Sequence, residues 1–187
     1  MLPVLFARFQ TEIDTFDNQR VQDEIGRTVN AFEELAADAQ RERSINFVAE
    51  PDPAALARTL LRLRHDLVII GRVGAVPLPN RSAERLGRSL TRIGAATSDF
   101  LLASAAALVS RRPPPPLEVV ETELVDYASE VTALREGGLM QPLPSSELER
   151  IFTLGFALQQ LQQNLLDIAR CVQESARSPE LRAKLAA

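Results

Sequence analysis

The chain has 187 residues, of which 45% are hydrophobic and 25% charged, and its formal net charge is −4. Ordinary apolar content with so little net charge fits a folded globular chain and excludes a mostly disordered one. The single cysteine, Cys171, excludes an internal disulfide framework and suits a reducing compartment.

Residues 1–50 form the first unit, with a helical pattern over 4–44. Phe6, Phe9, Ile13, Phe16, Val21, Ile25, Val29, Phe32, Leu35 and Ala39 recur at three- and four-residue steps. One five-residue slip, near Asp17 and Asn18, predicts a kink or a helix boundary. Glu33, Glu34, Asp38, Arg41, Glu42 and Arg43 make the solvated face of this helix. The opening MLPVLF lacks a basic leader and a small-residue cleavage site, so it does not read as a signal peptide.

Residues 51–177 form the second unit, a bundle packed with the first helix as one domain. Asp52 is a favoured N-cap and Pro53 suits the first helical position, so a second helix opens there and runs to about Val73. Leu56, Leu60, Leu63, Leu67 and Ile70 give it one apolar face, and Gly74, Pro77 and Pro79 stop it. A third helix is expected from Ser82 or Ala83 to about Ser110. Leu86, Leu90, Ile93, Thr97, Phe100 and Leu108 mark its inner side, and the alanines at 95, 96, 103, 105, 106 and 107 permit close approach of a neighbour. Its weakly polar run, Ile93–Ser110, is interrupted by Asp99 and falls short of the roughly 20 apolar residues of a bilayer crossing.

Pro113–Pro116 predicts a rigid polyproline corner spanning about 12 Å. The fourth helix, about Leu117–Glu136, carries Val120, Leu124, Tyr127, Val131 and Leu134 on one face, and Gly137-Gly138 closes it. Ser146 and Glu149 then form a capping box for a fifth helix. The seam of that helix is Ile151, Leu154, Leu158, Leu161, Leu165, Ile168 and Val172, flanked by Gln159, Gln160, Gln162, Gln163 and Asn164. Residues 178–187 form a short C-terminal tail that frays or adds one small helix. No segment alternates with the period of a strand, and no repeat is evident. The fold class is all-α, an elongated antiparallel bundle of about five helices.

Eight arginines (58, 62, 64, 72, 81, 85, 88 and 92) face only Asp66 and Glu84 over that span, while 118–149 is rich in carboxylates. Two readings are open: basic and acidic helices that lie side by side, which is preferred, or a basic surface for an anionic partner. Nucleic acid is not expected, because the chain lacks Trp, has one Tyr and interleaves no aromatic platform with its arginines.

One histidine and one cysteine supply no metal-ligand set, and no phosphate loop, nucleophile elbow or CxxC occurs. The reading is therefore no enzyme, no cofactor and no metal. Cys171, among Ile168, Ala169 and Val172, reads as a buried inert thiol. The candidate polar cluster is Arg64, His65, Asp66 and Arg72 on the second helix. Adjacent residues on a helix diverge by about 100°, so His65 and Asp66 take partners from other helices. Asp66 is expected to pair with an arginine such as Arg72 or Arg92, as a buried specificity element.

AFEELAADAQRER (31–43), TLLRLRHDLVIIGR (59–72), DFLLASAAALVSRRPPPP (99–116) and ERIFTLGFALQQLQQNLLDIARCV (149–172), in this order, resemble the soluble region of bacterial fusaric-acid-resistance-type proteins. These belong to the aromatic-acid-exporter group of inner-membrane transporters. The resemblance implies a non-catalytic helical domain of an efflux transporter for aromatic carboxylic acids. Its setting would be the cytoplasmic side of the bacterial inner membrane, and its role assembly, gating or substrate guiding. Its partners would be the membrane-spanning part of the same transporter, further copies in a homo-oligomer, and an anionic aromatic substrate. A stretch without spanning segments departs from that family's pattern, so the chain reads either as a piece of such a protein or as a stand-alone relative. The alternative function is a stand-alone helical scaffold or sensor binding a small apolar ligand or a partner helix.

Overall fold

The computed structural model describes residue 6 and residues 15–46, 52–74 and 80–185. Five helices account for almost all of them: α1 (Thr15–Asn46), α2 (Pro53–Val73), α3 (Asn80–Ser110), α4 (Glu118–Glu136) and α5 (Ser145–Leu185). No strand occurs among the described residues, and the fold is an all-α bundle. α2 packs most extensively on α5, α3 on α4, and α1 on α2.

The seams read from the sequence become the core. Leu63, Leu67 and Ile70 of α2 meet the seam of α5, whose Ile151, Leu154, Leu158, Leu161, Leu165, Ile168 and Val172 are all buried. Each fully buried Leu or Ile contributes about 1.5–3 kcal/mol, so these stripes dominate the stability. Cross-helix contacts fix the directions. Arg62 Nη2 donates to Asp167 Oδ2 at 2.8 Å and Arg150 Nη2 donates to the Val73 carbonyl at 2.8 Å, so α2 and α5 run antiparallel. The latter bond also satisfies a carbonyl that the end of α2 leaves free.

Several boundaries differ from the sequence reading. α1 runs without interruption through Asp17 and Asn18, so no helix boundary falls at the slip; residues 7–14 lie outside the described ones. Its buried face follows Gly26, Val29 and Ala36, which leaves Leu35 66% exposed instead of in the seam. A helix that packs mainly on one neighbour buries a narrow stripe, and Leu35 lies just outside it. α5 continues to Leu185, through residues expected to form a separate tail. It also begins at Ser145, with Glu147 N and Leu148 N donating to the Pro144 carbonyl at 3.0 and 3.2 Å. Ser146 is thus inside the first turn and does not serve as the cap.

Asp52 does cap α2 as expected, accepting from Ala54 N at 3.0 Å with Pro53 at the first position. α4 closes through Gly138, whose φ is +67, while Gly137 keeps a right-handed φ of −73. Leu139 N donates to Leu134 O at 3.0 Å and Gly138 N to Arg135 O at 3.1 Å, the paired bonds of a Schellman cap. α3 ends in the same way on Arg111, at φ 53, with Arg112 N donating to Ala107 O at 2.9 Å and Arg111 N to Leu108 O at 3.3 Å. Of the α3 alanines, Ala107 is buried and Ala96 half-buried, while 95, 103, 105 and 106 face outward. The close approach on α3 is made at Gly94, against which the fully buried Phe6 packs. The helical stretch Arg85–Ser110 is long and apolar enough to cross a bilayer by length and composition, more than the run Ile93–Ser110 suggested.

Candidate functional site

The four residues singled out on α2 are not one cluster. Asp66 is buried and faces α5. His65 and Arg72 are exposed. Arg64 lies half-buried against α1, where its guanidinium covers Gly26 so closely that a Cβ there would sit 2.9 Å from Nη2. The 100° step between helical neighbours sends each side chain to a different surroundings.

Asp66 does not pair with Arg72 or Arg92. Its partner is Asn164 of α5, whose Nδ2 donates to Asp66 Oδ2 at 2.5 Å, with both residues buried. Burial pushes the carboxyl above its ordinary value, and the Asn164 hydrogen bond together with the nearby charges of His65 and Arg62 only partly offsets that. An amide shared with a buried carboxyl satisfies both groups without a second charge, where an unpaired carboxylate would be penalised heavily.

Four arginines of the basic stretch pair with carboxylates, two of them with carboxylates of the acidic α4. Arg92 Nε donates to Glu123 Oε2 at 2.6 Å and its Nη2 lies 3.5 Å from Asp126, while Arg85 pairs with Glu130 at 3.5 Å. Arg62 is bound by Asp167, and Arg58 by Asp52 at 3.3 Å. The pairs of Arg85 and Arg92 fit the reading of basic and acidic helices as neighbours.

What the structure does bring together is an apolar groove of about 460 Å³ between α4 and the first half of α5. It exists because α4 packs mainly on α3, and its contact with α5 is slight. Ile151, Leu158 and Tyr127 form the buried floor, with half-buried Leu124 and Val131 on one wall. Phe152 and Phe156, each 59% exposed, stand on the other wall, with Val125 at 64% across from them. Between the two phenylalanines lies Gly155, where an added Cβ would meet nothing. Glu121, Gln159 and Gln162 are the polar lining, and no cation is among it. The Tyr127 hydroxyl is buried without a hydrogen-bond partner among the described residues, and burial pushes the phenol well above its ordinary value. The phenol therefore stays neutral and retains an unused donor behind the groove.

The sequence reading passed over this site. Its signal was Phe152 and Phe156 at a four-residue step, on the face of α5 away from the regular seam, where a solvated helix ordinarily carries polar groups. No group of three or more His, Cys, Asp or Glu residues capable of holding a metal occurs among the described residues. Cys171 is half-buried, and burial with Glu174 and Asp167 nearby raises its thiol, which keeps it protonated and poorly nucleophilic.

The class that fold and groove define is an all-α helix bundle with an open, largely apolar groove between two of its helices. No protein-family model, curated protein or solved structure matches the chain.

Proposed function

We propose that the chain is a non-catalytic helical binding domain whose α4–α5 groove takes a small, uncharged aromatic or alicyclic compound. The observation that carries this is the pairing of a 460 Å³ apolar hollow with two exposed phenylalanines and no cation. Ligand sites of this size are typically apolar with a few polar groups that orient the ligand. A carboxylate would meet Glu121 and no counter-charge, so the neutral form of an aromatic acid is preferred over its anion. On the strength of the sequence resemblance, the domain belongs to an efflux protein for aromatic carboxylic acids on the cytoplasmic side of the inner membrane. There it would report substrate to the membrane-spanning part or help assemble it. Calorimetric titration with a neutral aromatic alcohol and the matching carboxylate tests the groove. Binding of the alcohol that weakens in Phe156→Ser supports it; equal or stronger binding of the carboxylate overturns it.

A second reading is self-association through the same patch, favoured by the exposure of Phe152, Phe156 and Val125 side by side. Light scattering over a concentration series separates the two, since a dimer broken by Phe156→Glu would close the groove to small ligands.

A further inference from the structure

A second apolar surface lies at the far end of α3, well away from the groove. The ion pairs Arg85–Glu130 and Arg92–Glu123 step two helical turns in opposite directions along α3 and α4. This register sets Glu118, the first residue of α4, level with about residue 97 of α3, so α3 runs on roughly 20 Å beyond its neighbour. On that overhang Phe100, Ser104 and Ala107 turn inward and are buried. Leu102, Ala105, Ala106 and Val109 share the opposite face and are exposed, Leu102 by 69% and Val109 by 86%. They form an apolar stripe two turns long on a helix whose most apolar window is only 33% buried.

Charge is graded along the same overhang. Between residues 100 and 117 the only charges are Arg111 and Arg112, at the tip, both exposed and without an ion-pair partner among the described residues. The nearest acids in the sequence, Asp99 and Glu118, sit at its base, level with the start of α4. The positive φ of Arg111 turns the chain sharply at the helix end, and the four prolines lead it back towards α4. The tip is thus basic on a chain of net charge −4.

We propose that the α3 tip docks on an anionic lipid surface, with Leu102 and Val109 entering the headgroup boundary and Arg111 and Arg112 contacting phosphates. An apolar face with cations at its edge is the arrangement that binds reversibly in the plane of a bilayer, and arginine extends its charge to the headgroups while its stem covers apolar surface. The cations at the tip and the acids at its base set the orientation, tip inward and bundle outward. The proposal does not rest on the groove or on the efflux reading, because a free-standing scaffold with this tip would dock equally.

Co-sedimentation of the 187-residue chain with vesicles of phosphatidylcholine, with and without phosphatidylserine, tests it. Binding is expected only with phosphatidylserine and declines as salt rises. Arg111→Ala with Arg112→Ala lowers it roughly tenfold or more, and Leu102→Ser with Val109→Ser lowers it comparably. Phe156→Ser, in the distant groove, leaves it unchanged. All these positions are exposed, so the variants keep the fold, which circular dichroism checks; Leu102→Ala with Val109→Ala replaces any variant that loses helicity. Equal binding to both vesicle types, no binding at low salt, or tip variants that bind like the parent chain would each overturn the proposal. So would loss of binding in Phe156→Ser, which would move the contact to the groove.

Discussion

Asn164 donates a 2.5 Å hydrogen bond to Asp66 across the α2–α5 interface, and both side chains are buried among apolar neighbours of the core. Because burial raises Asp66 above 3.8, the folded chain holds its proton more tightly than the unfolded chain does. The stabilisation from that proton is fully present below the unfolded pKa. It is lost as pH rises through the raised folded value, leaving a constant penalty above it. Asp66→Asn removes this titration. Urea midpoints taken from about pH 3 to pH 8 should therefore show the variant gaining on the parent chain as pH rises. Asn164→Leu strands the carboxylate and is expected to lower stability by about 1–3 kcal/mol at neutral pH, more than at acid pH.

Two glycines meet different neighbours. At Gly94 a Cβ would lie 2.8 Å from Cδ2 and 3.0 Å from Cβ of Phe6, a fully buried side chain met at its stem as well as its ring. Gly94→Ala should destabilise the fold by about 1–3 kcal/mol. In a Phe6→Ala background the same change should be neutral or favourable, since only the helix-propensity gain remains. At Gly26 the neighbour is the far end of Arg64, which can swing aside, so Gly26→Ala should be neutral or gain up to about 1 kcal/mol. Thermal unfolding of the four variants decides both.

Arg111 occupies the left-handed position that Gly138 fills at the end of α4. A side chain there is strained by about 1 kcal/mol, so Arg111→Gly should raise stability by roughly that amount, and Gly138→Ala should lower it similarly. Denaturant midpoints with unchanged slopes would establish both.

The ion pairs of Arg92 with Glu123 and Asp126 fix the register of α3 on α4 but lie at the surface. Arg92→Ala should therefore change stability by less than about 1 kcal/mol, and by less still in high salt. Leu161→Ala, in the fully buried α5 seam, should cost about 2–5 kcal/mol and be insensitive to salt.

The sequence by itself determined that the chain is helical and which faces of α2 and α5 turn inward. The spacing of Leu63, Leu67 and Ile70, or of Leu154, Leu158 and Leu161, is a local property that any buried amphipathic helix must satisfy. The cap at Asp52 was legible for the same reason, since Asp52 and Pro53 act within one turn. Opposite charge pointed to α3 and α4 as neighbours, but the pairings of α2 with α5 and of α1 with α2 were not legible, because periodicity names a face and not its neighbour. Tertiary structure alone decided that Asp66 meets Asn164 and not an arginine, and that Arg64 turns to α1. It alone opened the groove at Phe152 and Phe156, by tying α4 to α3 more closely than to α5, and it alone left the end of α3 projecting past its partner. Those outcomes depend on lengths and registers summed over several helices, and no single stretch of sequence carries them.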